Sequence, residues 1–128
     1  MKRLLFVCIE NSNRSQMAEA FARKHGGDAV EVWSAGSRPS GTVSPKAIAA
    51  MRELGIDLET HSSKALDALP EVAFDAAVTM GCGDACPHVE ARVREDWKIP
   101  DPRDMKRVEF HEVRDLIGDK VRDLLGRI

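Results

Sequence analysis

Four consecutive large apolar residues, Leu4-Leu5-Phe6-Val7, end at Cys8, and a polar stretch then leads to Arg14-Ser15 and a segment with helical spacing. A run without polar alternation is the mark of a parallel strand covered on both faces. Residues 2–8 therefore read as a strand, the residues after Cys8 as a tight loop, and Ser15 to about Lys24 as a helix. The free N–H groups of a loop opening a helix, backed by the positive end of the helix dipole, form a site for an oxyanion. Cys8 sits at the base of that loop, where nearby positive charge favours the nucleophilic thiolate. Arg14 adds a planar fork of donors able to grip two oxygens at once. Cys8 is thus the candidate nucleophile, and Ile9, Glu10, Asn11, Ser12, Asn13, Arg14 and Ser15 are the candidate oxyanion-binding residues.

The remaining pattern alternates strands with helices. Gly26-Gly27 ends the first helix, and a valine-rich strand carrying Trp33 is expected from Ala29 to Ser34. A loop follows from Ala35 to Gly41. Ser44-Pro45 starts a second helix, a hydroxyl cap followed by proline at the first helical position, which runs to Leu54 and stops at Gly55. Ser62 or Ser63 caps a short helix ending before Pro70. Phe74 to Met80 is a third strand, Val93 to Trp97 a polar edge strand, and Pro100-Asp101-Pro102 a rigid turn. Val113, Leu116, Ile117, Val121, Leu124, Leu125 and Ile128 recur at helical steps and define a last helix. The fold class is α/β: a four-stranded parallel sheet in a three-layer α/β/α sandwich, joined by right-handed crossovers. Sites in such folds gather at the carboxyl ends of strands, where Cys8, Cys82 and Asp101 all fall.

At 128 residues the chain is expected to form one domain spanning 1–128, with one core and room for one site. Its 19 basic and 21 acidic residues are interspersed and leave a net charge of −2, which favours neither nucleic acid nor an anionic membrane as partner. No apolar stretch approaches the ~20 residues of a membrane span, and no cleavage pattern follows the first run, so a cytoplasmic protein is expected. A monomer is expected as well. Three cysteines cannot all pair, and in a reducing compartment cysteines more often serve catalysis, redox exchange or metals than structure.

Cys82 and Cys86 stand in Gly81-Cys82-Gly83-Asp84-Ala85-Cys86-Pro87, with His88 close behind. Zinc needs about four ligands, and the one remaining cysteine is Cys8. Glycines flanking Cys82 suit an approachable segment, so a redox pair fits better than a metal site or inert packing. Asp101 is a turn residue whose place after the fourth strand also makes it a candidate acid. His25, His61, His88 and His111 read as surface or loop histidines. The charged face of the last helix, with Glu112, Arg114, Asp119 and Lys120, reads as solvated. The Gly-x4-Gly-Lys-Ser/Thr loop of nucleotide-binding proteins is absent.

Val7-Cys8-x-x-Asn11-x-x-Arg14-Ser15, Ser34-Ala35-Gly36, Gly55-Ile56-Asp57, Val78-Thr79-Met80 ahead of Cys82 and Cys86-Pro87, and Trp97 ahead of Asp101-Pro102 occur in that order. In this set, and over essentially its whole length, the chain resembles the arsenate reductases that share the fold of low-molecular-weight protein tyrosine phosphatases. The resemblance implies that Cys8 attacks a loop-bound arsenate, that Asn11 shapes the loop, that Ser15 bonds the thiolate and that Asp101 protonates the departing oxygen. It further implies a relay in which Cys82 takes the sulfur of Cys8, releasing arsenite, and Cys86 moves the disulfide to the Cys82–Cys86 pair for an external reductant. That reductant is a thioredoxin- or glutaredoxin-type protein or a low-molecular-weight thiol. No bound cofactor and no metal are implied. Some relatives hold potassium through residues matching Asn11, Glu19 and Ser34, but the position of their aspartate here is Lys64, whose ammonium replaces or repels the cation.

The alternative enzyme is a small phosphatase that hydrolyses its cysteinyl-phosphate. Against it stand the absence of any tyrosine and the Asp101-Pro102-Arg103-Asp104 turn, where phosphatases of this fold place aromatics. A non-enzymatic oxyanion or redox-responsive binding module is the third reading.

Overall fold

The computed structural model describes residues 1–81 and 89–128. β1 (Lys2–Cys8) runs through the middle of a four-stranded parallel sheet ordered β2-β1-β3-β4, with β2 at Val30–Gly36, β3 at Phe74–Thr79 and β4 at Ala91–Asp96. The chain leaves β1 through α1 (Arg14–Gly26) to pair on one side, then returns past it to pair on the other. This reversal opens a crevice at the carboxyl end of β1, the place where open parallel sheets hold their ligands. Cys8 is the last residue of the strand.

Strand alternation sorts the core. Leu4, Phe6 and Cys8 face α1, α2 (Pro45–Arg52) and α3 (Arg107–Arg127), while Leu5 and Val7 face the opposite side with Phe74 and Ala77. Burial of a side chain such as Phe6 or Leu4 contributes about 1.5–3 kcal/mol relative to exposure. The second face is covered, among the described residues, by Leu66, Leu69 and Val72. The short helix expected from Ser62 or Ser63 is one 3-10 turn at Leu66–Ala68. A helix cannot start earlier because Lys64 N bonds Asn11 Oδ1, Gly36 N bonds Lys64 O and Ala65 bridges Gly36. These contacts hold 62–65 extended against the loop.

The other boundaries follow local chemistry. Ser44 Oγ accepts from Lys46 N and Pro45 is the first residue of α2, as expected. That helix ends in a Schellman arrangement, with Ile56 N bonding Met51 O, Gly55 N bonding Arg52 O, and Gly55 at φ +76°. β2 runs two residues further than the sequence suggests, because Gly36 still pairs with Cys8. In α3, Val113, Ile117, Val121 and Leu124 are buried, but Leu116 is exposed. The adjacent Gly118 seats the Phe21 ring of α1, whose nearest atom is 3.1 Å from where a Cβ would stand. Arg114 is not on a solvated face: it is buried and donates to the Ala50 carbonyl of α2. Lys120 lies over the Trp97 ring. β4 is the edge strand, and Arg127 of α3 donates to Glu95 through both terminal guanidinium nitrogens. That pairing is the main reason the Glu95 carboxyl is held below its usual range. Among the described residues no helix is long and apolar enough to cross a membrane.

Candidate active site

The loop between β1 and α1 is held from behind by its own carbonyls. Ser37 N bonds Cys8 O, Arg38 N bonds Ile9 O, Ser40 N and Ser63 Oγ bond Glu10 O, and Ser44 N bonds Ser12 O. Gln16 Nε2 takes Asn11 O, and Met17 N takes Asn13 O. In a planar trans peptide the N–H points opposite to the C=O, so fixing the carbonyls outward directs the loop N–H groups inward. The result is a concave donor surface at the start of a helix, suited to an anion.

Asn11 locks that shape. Its backbone is left-handed at φ +52°, a conformation asparagine enters more readily than most residues. Its buried amide donates to Ser15 Oγ at 2.7 Å and Ser34 Oγ at 3.0 Å, and accepts from Gln16 Nε2 and Lys64 N. Because Ser15 Oγ receives the Asn11 hydrogen, its own hydrogen is free to point at Cys8 Sγ, 2.9 Å away. A hydroxyl donating there stabilises a thiolate. Gly36 on β2 leaves the space the loop occupies, since a Cβ there would meet Ile9 O at 2.5 Å and Asn11 N at 2.9 Å.

Arg14 is buried, and its NH1 donates to Met80 O at 2.6 Å and Ile99 O at 3.0 Å. NH2 on the other edge is 4.0 Å from Asp101 Oδ2. Asp101 is half-exposed in the turn after β4 and accepts from Arg103 N through Oδ1. Cys8, Ile9, Glu10, Ser12, Asn13, Arg14, Asp101 and Arg103 together line a pocket of about 240 Å³. A larger cleft between α2 and α3 is lined mainly by apolar surface and, among the described residues, by no cysteine.

Of the residues expected from sequence, Cys8, Ile9, Glu10, Ser12, Asn13, Arg14 and Asp101 meet in this pocket, whereas Asn11 and Ser15 stand behind it. Cys82, Cys86 and His88 lie outside the described residues. Gly81, the last residue before them, has φ +76° and packs so that a Cβ would be 2.9 Å from Arg14 NH1. The sequence carries no signal that Arg103 pairs with Glu10, at 2.6 Å and 93 residues away.

Behind the loop lies a buried carboxylate. Glu19 accepts from Ser34 Oγ at 2.6 Å and is approached by Arg23 at 3.0 Å, His61 at 3.4 Å and Lys64 at 3.9 Å. His61 is not a surface histidine. Its side chain is mostly buried, and its Nδ1–H faces Gln16 Oε1, the acceptor end of an amide whose nitrogen already donates elsewhere. Burial lowers the pKa of His61 more than the Glu19 carboxylate raises it, and burial likewise lowers that of Lys64.

Comparison with known proteins agrees with this geometry. The sequence profile of the family described as low molecular weight phosphotyrosine protein phosphatase matches residues 3–128. The chain is 40% identical to an arsenate reductase of Bacillus licheniformis, with 94% of this chain and 93% of the relative covered. It is 37% identical to the glutaredoxin arsenate reductase of Synechocystis sp., with 100% and 99% covered. A solved arsenate reductase in the phosphate-binding state superposes with a TM-score of 0.92 at 37% identity, covering 100% of this chain and 99% of that one.

Proposed function

From the premise that this chain belongs to the low molecular weight phosphotyrosine protein phosphatase family, we propose that it is an arsenate reductase working through three cysteines. The observation that carries the reading is one pocket lined by Cys8, Arg14 and Asp101 in a chain whose full-length relatives are named arsenate reductases.

The loop N–H groups and Arg14 hold the arsenate oxygens, and Cys8 Sγ attacks arsenic. The departing oxygen takes a proton from Asp101 and leaves as water. Holding nucleophile and oxyanion together removes most of the entropic cost of their encounter. This step is shared with phosphomonoester hydrolysis; the next one is not. The Cys82 thiolate attacks Cys8 Sγ, the sulfur–arsenic bond breaks, and its electron pair goes to arsenic, which leaves as arsenite with a Cys8–Cys82 disulfide behind. Cys86 then attacks Cys82, freeing Cys8 and forming Cys82–Cys86, which an external dithiol reduces. Cys82 follows directly on Gly81, whose backbone packs against Arg14, and this supports its choice as the second sulfur. The reductant is a glutaredoxin- or thioredoxin-type protein. Lys64 beside Glu19 supports turnover without potassium.

The test follows NADPH consumption with arsenate and each reducing system. Cys8→Ser is expected to abolish both arsenate reduction and the slow hydrolysis of p-nitrophenyl phosphate. Cys82→Ser is expected to abolish only the first. Normal arsenate reduction by Cys82→Ser would overturn the relay, and efficient phosphotyrosine hydrolysis insensitive to both downstream cysteines would favour the phosphatase.

A further inference from the structure

Among the described residues, two of the four charged side chains lining the pocket have no part in the chemistry above. Arg103 NH1 donates to Glu10 Oε1 at 2.6 Å, joining the loop after β1 to the turn after β4. Neither side chain is needed to hold its own segment. The turn is fixed by Arg103 N on Asp101 Oδ1, and the loop at Glu10 by Ser40 N and Ser63 Oγ on its carbonyl. A carboxylate on a loop built to receive anions is repulsive to them, and Arg103 is the group that cancels it. The pair also stands toward the open side of the pocket, with the Arg103 side chain 63% and that of Glu10 34% exposed. Cys8 is buried at the base of the pocket, 3% exposed, and Asp101 is half-exposed at the rim. In-line displacement sends the leaving oxygen away from the nucleophile, so anything attached to it must project through the mouth.

We propose that the Glu10–Arg103 ion pair is a selectivity bar across this mouth, admitting free tetrahedral oxyanions and turning away phosphate esters and phosphonates with a bulky group. The inference rests on the oxyanion reading of the pocket and extends it to the choice of substrate. For an inorganic oxyanion the departing group is water-sized and passes. For an ester it is a whole alcohol, and the pair must break to let it fit. An exposed ion pair of this kind is weak and opens readily, so it grades ligands by size rather than sealing the site.

Calorimetry with inorganic phosphate and with phenylphosphonate tests the bar without requiring turnover, so its outcome does not depend on whether arsenate is the natural substrate. Glu10→Gln/Arg103→Ala is expected to improve phenylphosphonate affinity relative to phosphate by roughly tenfold over the wild type. Arg103→Ala alone leaves the Glu10 carboxylate unpaired and is expected to weaken phosphate binding roughly fivefold, with Glu10→Gln restoring it in the double variant. The same ordering is expected in the arsenate KM. An unchanged phenylphosphonate-to-phosphate ratio in the double variant would overturn the proposal, as would Arg103→Ala weakness that Glu10→Gln does not relieve. If the ratio shifts as expected while the wild type fails to reduce arsenate, the bar stands and the assigned reaction falls.

Discussion

Asn11 has both donors and its carbonyl oxygen engaged, to Ser15, Ser34, Gln16 and Lys64, and it lines no part of the pocket. Its contribution reaches the anion only through the shape it gives the loop. The same network continues to Glu19, and there it meets a histidine kept neutral by burial. The lowered pKa of His61 fixes the sign of a pH effect. Below the ordinary histidine range of about 6.5 the unfolded chain binds a proton that the folded one resists, so protons favour unfolding. The contribution of neutral His61 is complete above that value and is lost as pH falls through the lowered one. His61→Asn, which retains a donor toward Gln16, is therefore expected to lose less stability than the wild type between about pH 7.5 and about pH 5.5 in urea denaturation. Equal losses in the two proteins would rule out His61 as the titrating group.

Among the elements, β1 and β2 set the position of the loop through their last pair, Cys8 with Gly36. A methyl group at Gly36 must push on the backbone of Ile9 and Asn11 rather than on a flexible side chain. Gly36→Ala is expected to cost roughly 1–3 kcal/mol of stability. It is also expected to lower kcat/KM for arsenate by about a hundredfold, because a displacement near 1 Å is enough for that; steady-state kinetics beside a denaturation curve would check both. The elements themselves were legible in the residues: Leu4–Val7 as a strand, Ser44-Pro45 as a helix start, Gly55 as a stop. Short-range chemistry decides such features. What was not legible depends on contacts between distant segments, as with the 3-10 turn at Leu66–Ala68, held late by the loop, and Arg114, drawn inward by the Ala50 carbonyl. Cys8 and Asp101 could be placed near each other because strand ends meet in a parallel sheet, and Arg14 beside them because it closes the loop at the start of the helix. Arg103 opposite Glu10 could not, since no periodicity or spacing encodes that pair.

For the whole molecule, the pocket is a joint as much as a site. Loop 9–13, the 37–44 segment, Met80, Ile99 and the Asp101 turn are each anchored on or around it. A ligand bound there stabilises only the folded chain, by about 2.7 kcal/mol at a hundred times its dissociation constant. Inorganic phosphate is therefore expected to raise the melting temperature by several degrees as its concentration increases, and Arg14→Ala is expected to lose that response. A wild-type melting temperature indifferent to phosphate would remove the oxyanion site from the account. The clamp of Arg14 on Met80 and Ile99 also sets an order in time. During synthesis Cys8 and Arg14 emerge well before the second carbonyl that holds the arginine, 85 residues beyond it. Until Ile99 has docked, Arg14 has half of its clamp, so the pocket takes its final form only after β4 and the turn beyond it have joined the sheet.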